Sequence, residues 1–339
     1  MTRFEDRRLG FALPAVLAVT GMVTLIFLVA ITALASLTSE AIAAKSRVRF
    51  IERAMTAEAR FAFVAATEPF APSGINVDGP RLFNDDIYNP AGAGQLLYLD
   101  GRSYDASVDG PLLLSARDQA GMINLAQLRG ESYLRLAKLI ELPETRAMDL
   151  ADIYRDYVDQ DNLRRVNGAE VSDYPGDGPA NRVMRTRDEW LSMFNVRSSI
   201  KASAWRALSP DLAMDSWSNA ENVNTASAKT MQVLYGATEA GALAAIRQRQ
   251  TRPFLSFGDF AAAAGVGGLS DDVIQTYPSG RIVLTIRDGR SAWVYRSRLT
   301  LTPSGLERPA WIDQMEINEA PGRAGANISD AFRLPYASR

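Results

Sequence analysis

The sequence predicts an α+β fold: a long N-terminal α-helix packed on a small antiparallel sheet, with a large all-helical insertion between the strands. Three observations predict it. An apolar run after Arg7-Arg8-Leu9-Gly10 meets no charge until Glu40 and then passes into a segment with helical spacing. Stretches of period two stand on both sides of the middle of the chain, at 95–117 and 282–317. Between them the apolar period lengthens to three and four, the pattern of a sheet domain interrupted by helices.

The first element starts from residues 1–10, where Arg3, Arg7 and Arg8 outweigh Glu5 and Asp6, the charge balance of a cytoplasmic flank. The apolar run exceeds the roughly 7–15 residues of a signal-peptide core and reaches the roughly 20 that span a bilayer. A basic head, a glycine, a phenylalanine and a membrane-length helix read together as a prepilin leader. A secretory signal cut after Ala35 and an uncleaved anchor compete with that reading. Pro14 helps to choose, because a mid-helix proline costs about 3 kcal/mol whereas one in the first turn lacks only an N–H that has no helical partner. A cut between Gly10 and Phe11 puts Pro14 in that first turn.

Residues 11–37 then form the transmembrane part, and residues 38–66 continue as an amphipathic helix, the whole about 80 Å long. Val48, Ile51, Met55, Ala59, Ala62 and Ala66 recur at helical spacing and are expected to face the globular domain, with Glu52, Arg53, Glu58 and Arg60 opposite. Residues 67–94 read as loop. The sheet domain begins within 67–120: a hairpin of 95–99 and 103–108 about Asp100-Gly101-Arg102, then a third strand at 112–117. The helical insertion spans 121–276. Its two openings, Ile123-Asn124-Leu125 and Val223-Asn224-Thr225, each precede a helix, turn and helix and suggest an internal repeat. Strands in 277–318 complete the sheet, at 282–286, 292–301 and 311–317. Residues 319–339 read as a loose tail.

Composition excludes more than it assigns. The chain has 339 residues and a net charge of -2, without the basic excess of a phosphate-binding surface. It contains no cysteine and no histidine, which removes thiolate chemistry, Ser-His triads and most transition-metal sites. No nucleophile stands beside a base, and the glycines at 265, 267 and 268 do not follow a strand as a phosphate loop requires. Catalysis is therefore not expected. Hard, oxygen-ligated ions remain open to it.

The acidic loop 156–173 is the richest local feature. Asp156, Asp159, Asp161, Glu170 and Asp173 supply the oxygen donors calcium takes, although no EF-hand spacing is present. Solvated loop carboxylates fit the same residues. The two Asn-containing openings look like helix-hairpin-helix segments, whose N–H groups can hold a DNA backbone. Their asparagines fit better as caps of the following helices and ties for the loops, so a membrane-anchored DNA-binding or uptake module is kept only as an alternative and no nucleic-acid partner is expected.

In order and spacing, several segments together resemble the general secretion pathway protein K family, the K minor pseudopilins of type II secretion. They are the leader ending in Gly10-Phe11, the run from Asp118 to Leu125, Asp156-Tyr157-Val158-Asp159-Gln160-Asp161-Asn162-Leu163, and Asn167-Gly168-Ala169-Glu170 with Asp173-Tyr174. Arg187-Asp188-Glu189-Trp190-Leu191 and Asn222-Val223-Asn224-Thr225-Ala226 complete the likeness, which runs to about residue 317. Ala15 adds to it, standing where most pilin-like subunits carry a glutamate. Departures are Pro14, Tyr157-Val158 in place of a tryptophan-arginine pair, and Ala126-Gln127 in place of Asn-Thr.

The resemblance implies a pilin-like fold and a structural role. It implies cleavage by a prepilin peptidase between Gly10 and Phe11, with N-methylation of Phe11. The anchor would cross the inner membrane once, leaving the globular part in the periplasm. The partners implied are the I and J minor pseudopilins, the major pseudopilin G beneath them, and secreted cargo or the outer-membrane secretin. Calcium in the helical insertion is also implied, with Asp156, Asp159, Asp161, Glu170 and Asp173 as candidate ligands.

Overall fold

A computed structural model describes residues 12–77, 95–107, 109–267, 274–289, 293–302, 307–319 and 331–334. Gly10 and Phe11, the expected cleavage pair, lie outside the described residues. The chain divides into two compact units, residues 1–53 and 54–339.

The first unit is the apolar part of α1 (Ala12–Thr67), which is long and apolar enough to cross a membrane and fits a single-pass anchor. Pro14 falls in the first turn of the described helix. The hydroxyls of Thr20, Thr24, Thr32 and Thr38 each donate to the carbonyl four residues earlier, at 2.8, 2.8, 3.0 and 2.8 Å. Folding each hydroxyl back onto its own helix removes the cost of an unpaired donor in lipid.

In the second unit, the end of α1 presents Ala54, Ala57, Phe61, Val64 and Ala65 to the core at helical spacing. The alanines allow close approach of the helix. Glu58, also buried, accepts hydrogen bonds from the hydroxyls of Tyr295, at 2.8 Å, and Ser297. The expected inner face is not the one buried: Met55 is 50% exposed, Ala59 and Ala66 are exposed, and Glu58, expected outside, is inside, while Glu52 is exposed as expected. The helix carries two apolar faces, and the sheet's polar pair at Tyr295 and Ser297 selects the one that contains Glu58.

After α1 come β1 (Phe70–Ala71), β2 (Gly74–Val77), β3 (Gln95–Tyr98), β4 (Asp100–Asp105) and β5 (Leu113–Asp118). β1, β2 and β3 form their own antiparallel sheet, so part of the expected 67–94 loop is strand. The 95–108 hairpin is not formed, because β3 pairs with β2 and β4 with β5. Gly101 does take positive φ, +91°, but inside β4, where the register with β5 shifts between Asp100 and Ser103. Asp-Gly here supplies a bulge rather than a turn. Arg102 clamps the bulge by donating to both carboxylate oxygens of Asp100, at 3.0 and 2.7 Å.

The insertion then holds β6 (Ile123–Asn124), α2 (Glu131–Leu139), α3 (Glu144–Val158), α4 (Val196–Ser199), α5 (Ala202–Leu208), β7 (Leu212–Ala213), β8 (Glu221–Asn222), α6 (Ala228–Tyr235), α7 (Glu239–Thr251), α8 (Phe257–Ala264) and β9 (Ile274–Gln275). It has two cores. One contains Leu136, Leu150, Ile153 and the stacked rings of Trp190 and Trp205, whose centroids lie 5.7 Å apart. The other gathers Met231, Ala245, Phe254, Phe257 and Phe260 from α6 to α8.

Each core opens in the same way. β6 pairs in parallel with β7, and β8 with β9. The Asn124 amide accepts from Asp215 N at 3.0 Å and donates to Asp215 O at 2.8 Å. The Asn224 amide accepts from Phe254 N and donates to Phe254 O, both at 2.8 Å. These asparagines tie the loops but do not cap the helices, since α6 is capped by Ser227 and α2 starts after Gly130.

The chain returns through β10 (Arg281–Arg287), β11 (Trp293–Leu301), β12 (Ala310–Glu319) and β13 (Phe332–Arg333). The main sheet has the order β12-β11-β10-β5-β4-β13, antiparallel except for β13, which runs parallel to β4. Pairing of β5 with β10, from Asp118↔Ile282 to Leu113↔Arg287, closes the sheet across the insertion. The α+β architecture with helices inserted between strands is therefore the observed one. The tail is not wholly loose: Phe332–Arg333 joins the sheet and Leu334 is buried.

Asp118 sits at the junction, fully buried. It accepts from Ala120 N (3.2 Å), Ser279 N (3.0 Å) and Ser279 Oγ (2.7 Å) at one oxygen, and from Asn222 Nδ2 and Thr225 Oγ1 (both 3.0 Å) at the other. One carboxylate thus joins the end of β5, the second opening of the insertion and the approach to β10. Asp211 and Asp215 of the insertion pair with Arg117 and Arg281 of the sheet beside it.

Candidate metal centre

α3 packs Ala147, Leu150, Ile153, Tyr154 and Tyr157 into the first insertion core. Its last turn ends in acid: Asp156 is fully buried, and Asp159 is the C-cap, donating its N–H to Arg155 O at 3.0 Å. A helix C-terminus carries partial negative charge, so two carboxylates there repel both it and each other. The position calls for a cation.

The loop that follows brings two further acids back to this end. The carboxylates of Asp159, Asp161 and Glu170 each offer an oxygen within 4.8 Å of the others. Asp161 Oδ1 accepts from Leu163 N at 2.8 Å, which fixes the turn. Gly168 makes the return possible, since a Cβ there would stand 1.8 Å from Asp156 Oδ2. Glu170 is buried and no side chain donates to either of its oxygens, while Oδ1 of Asp156 and Oδ1 of Asp159 lack a hydrogen-bond partner. Burial pushes the Glu170 carboxyl up, and the charges of Asp156, Asp159 and Asp161 push it further. Burial likewise raises the Asp156 carboxyl.

Of the five acids predicted from sequence, Asp159, Asp161 and Glu170 converge. Asp156 lies behind them, and its charge acts on Glu170. Asp173 is used differently: it accepts from Glu170 N at 2.9 Å and pairs with Arg164 at 3.5 Å, positioning Glu170 from behind. Sequence reasoning missed Arg165. Its N–H donates to Asp156 Oδ2 at 3.1 Å, and its guanidinium lies 3.2 Å from Asp156 Oδ1 and 3.5 Å from Asp159 Oδ2. The only signal was a pair of arginines inside an otherwise acidic loop.

The donor set fits calcium. Ligand oxygens at 2.3–2.6 Å from one ion lie at most about 5 Å apart, the spread found here, and the ion takes carboxylate oxygens in numbers that leave room for water. Asp159 Oδ1 and the Glu170 carboxylate, which no side chain donates to, are the oxygens left for such an ion.

The helix-hairpin-helix-like segments have no such spare groups. Asn124 and Asn224 spend their amides on backbone of the same chain, and Asn222 Nδ2 on Asp118. A second candidate surface is the outward face of α1, where Met55, Ala59, Phe63 and Ala66 form an exposed apolar stripe.

No protein-family model matches the chain, and no curated protein matches its sequence. Its fold is similar to that of a chain in the GspK-GspI-GspJ complex of the enterotoxigenic Escherichia coli type 2 secretion system, with a TM-score of 0.53 and 16% sequence identity. The likeness covers 81% of this chain and 98% of that chain.

Proposed function

We propose that this chain is a K-type minor pseudopilin of a type II secretion system, a structural subunit rather than an enzyme. The reading is carried by the fold likeness, which takes in nearly the whole length of a chain from a complex of three such components. The membrane-length helix supports an inner-membrane anchor with the globular part in the periplasm. The bulky insertion supports a place at the fibre tip, since it would obstruct a subunit stacking above. Partners I and J would dock on the exposed stripe Met55-Ala59-Phe63-Ala66, because an apolar helix face left in water is covered when helices assemble. Major pseudopilin G would follow below, and the tip would meet cargo or the secretin.

Calcium completes the reading of the insertion. Asp159, Asp161 and Glu170 would hold it, with Asp156 adding negative charge and Asp173 fixing Glu170. When bound, the ion would add to the positive charge that Arg165 already brings to the end of α3 and its carboxylates.

The test is processing and assembly together. The mature chain, purified from cells with its prepilin peptidase, should begin at N-methylated Phe11 by mass spectrometry, and should co-purify with candidate I and J subunits. Gly10→Val should leave the full-length mass and abolish secretion. A mature mass beginning at Phe11 in that variant, or undisturbed secretion, overturns the proposal.

A further inference from the structure

We propose that Arg165 is a built-in counter-cation that partly neutralises the carboxylate cluster from the side and opposes the binding of the metal. The inference rests on the calcium reading above and assigns to that site the residue that sets its affinity. The guanidinium stands at ion-pairing distance from two acids, 3.2 Å from Asp156 Oδ1 and 3.5 Å from Asp159 Oδ2. Yet Asp156 Oδ1, the oxygen it approaches, has no hydrogen-bond partner, and neither does Asp159 Oδ1, the oxygen it does not reach, so the guanidinium compensates charge and leaves lone pairs of both acids open. Its side chain is 43% exposed and can swing into water.

The main-chain N–H of Arg165 makes a separate bond, to Asp156 Oδ2 at 3.1 Å. Loss of the guanidinium contact therefore leaves the loop tied to α3. Arg164 differs in kind, because its side chain donates to Gly168 O at 3.1 Å and pairs with Asp173, holding the loop itself. Within the cluster, the pointer to a ligand is the burial of Glu170. This residue is 4% exposed and no side chain donates to either of its oxygens, so Arg165 leaves part of the cluster's demand unmet. A divalent ion meets more of that demand than a guanidinium reaching two acids from the side.

This opposition has a sign. A guanidinium some 5–6 Å from a doubly charged ion opposes it by enough, even in a water-like medium, to weaken binding about tenfold. Arg165→Gln should accordingly bind calcium about tenfold more tightly than the native chain. A merely structural arginine predicts the opposite, since its loss would loosen Asp156 and weaken the site.

The experiment is isothermal titration of the full chain in detergent with calcium chloride, for the native protein, Arg165→Gln, Arg165→Lys and Glu170→Gln, with melting curves in chelator and in calcium. Supporting results are tighter binding by Arg165→Gln together with a lower melting temperature in chelator, where the acids have lost their counter-charge. Arg165→Lys keeps the charge but loses the planar fork that spans two carboxylates, and should fall between. This variant also decides the matter if Arg165→Gln fails to melt cooperatively. If the native chain binds calcium, Glu170→Gln does not, and neither Arg165 variant gains affinity, the role of Arg165 is overturned and the calcium site stands. If no chain binds calcium or shifts its melting temperature, the calcium site falls, and this inference with it.

Discussion

Asp118 makes a sharp prediction about how the insertion is held, because its two oxygens are used unequally. One accepts from Ala120 N, Ser279 N and Ser279 Oγ, the other from Asn222 Nδ2 and Thr225 Oγ1. In Asp118→Asn the amide oxygen can keep the first three. The new NH2 then faces Thr225, whose hydroxyl turns to accept from it and donates its own hydrogen to Asn222 O at 3.3 Å, and Asn222, whose own NH2 cannot accept. One bond is lost outright, and relief from burying a charge offsets part of it, since burial pushes this carboxyl up against its five donors. The net cost should be about 1 kcal/mol.

Asp118→Ala removes every acceptor. The hydroxyls of Ser279 and Thr225 have second acceptors, Arg281 O at 3.4 Å and Asn222 O at 3.3 Å. The N–H groups of Ala120 and Ser279 and the amide of fully buried Asn222 do not recover these bonds. At about 1–3 kcal/mol for each orphaned donor, the loss should reach about 4–5 kcal/mol. Urea unfolding of the full chain in mild detergent, followed by tryptophan fluorescence and by circular dichroism, measures both variants. Trp190 and Trp205 report on the insertion. If alanine costs no more than asparagine, and both cost under about 1 kcal/mol, Asp118 is not the pin described.

Phe63→Asp should leave the melting temperature within about 2 °C of native, because the side chain is exposed, yet abolish co-purification with I and J subunits; unchanged co-purification refutes the docking face. Asn224→Ala should cost about 2–4 kcal/mol in urea unfolding, for it leaves the Phe254 N–H and two carbonyls unpaired inside the second core; a cost below about 1 kcal/mol contradicts the clamp. Burial pushes the Asp100 carboxyl up, but the hydrogen bonds and charge of Arg102 outweigh it and hold the group below its ordinary value of 3.8. A depressed carboxyl contributes stability above its unfolded value and loses it as pH falls through the folded one. Native chain and Asp100→Asn should therefore differ by about 1 kcal/mol at pH 6 and converge below pH 3.8; a gap that widens in acid contradicts the sign.

Much of the fold was legible because burial leaves a local trace. The membrane-length run, the strands near 282–317 and α8 at Phe257–Ala264 follow from apolar period alone. The 95–108 hairpin failed for a physical reason: Asp100-Gly101 announces positive φ, and that conformation serves a bulge as well as a turn. Which of the two forms depends on the partner strand, and β5 claimed β4 while β2 claimed β3. Phe332–Arg333 was missed because two residues joining an existing edge carry no period of their own.

The candidate site divides in the same way. Acidic residues crowded into one loop are a matter of composition, so Asp156, Asp159, Asp161, Glu170 and Asp173 could be named at once. Their separate uses could not, because Asp173 turns to a backbone N–H, Asp156 sits at the end of α3, and Arg165 reaches in from the side. By itself the sequence determined the anchor helix, the order of strands and insertion, and where acid gathers, since each is written in neighbouring residues. Only the tertiary structure decided which face of α1 meets the sheet. Two apolar stripes compete for burial there, and the hydroxyls of Tyr295 and Ser297, more than 230 residues along the chain, give Glu58 the partners that let its face go inside.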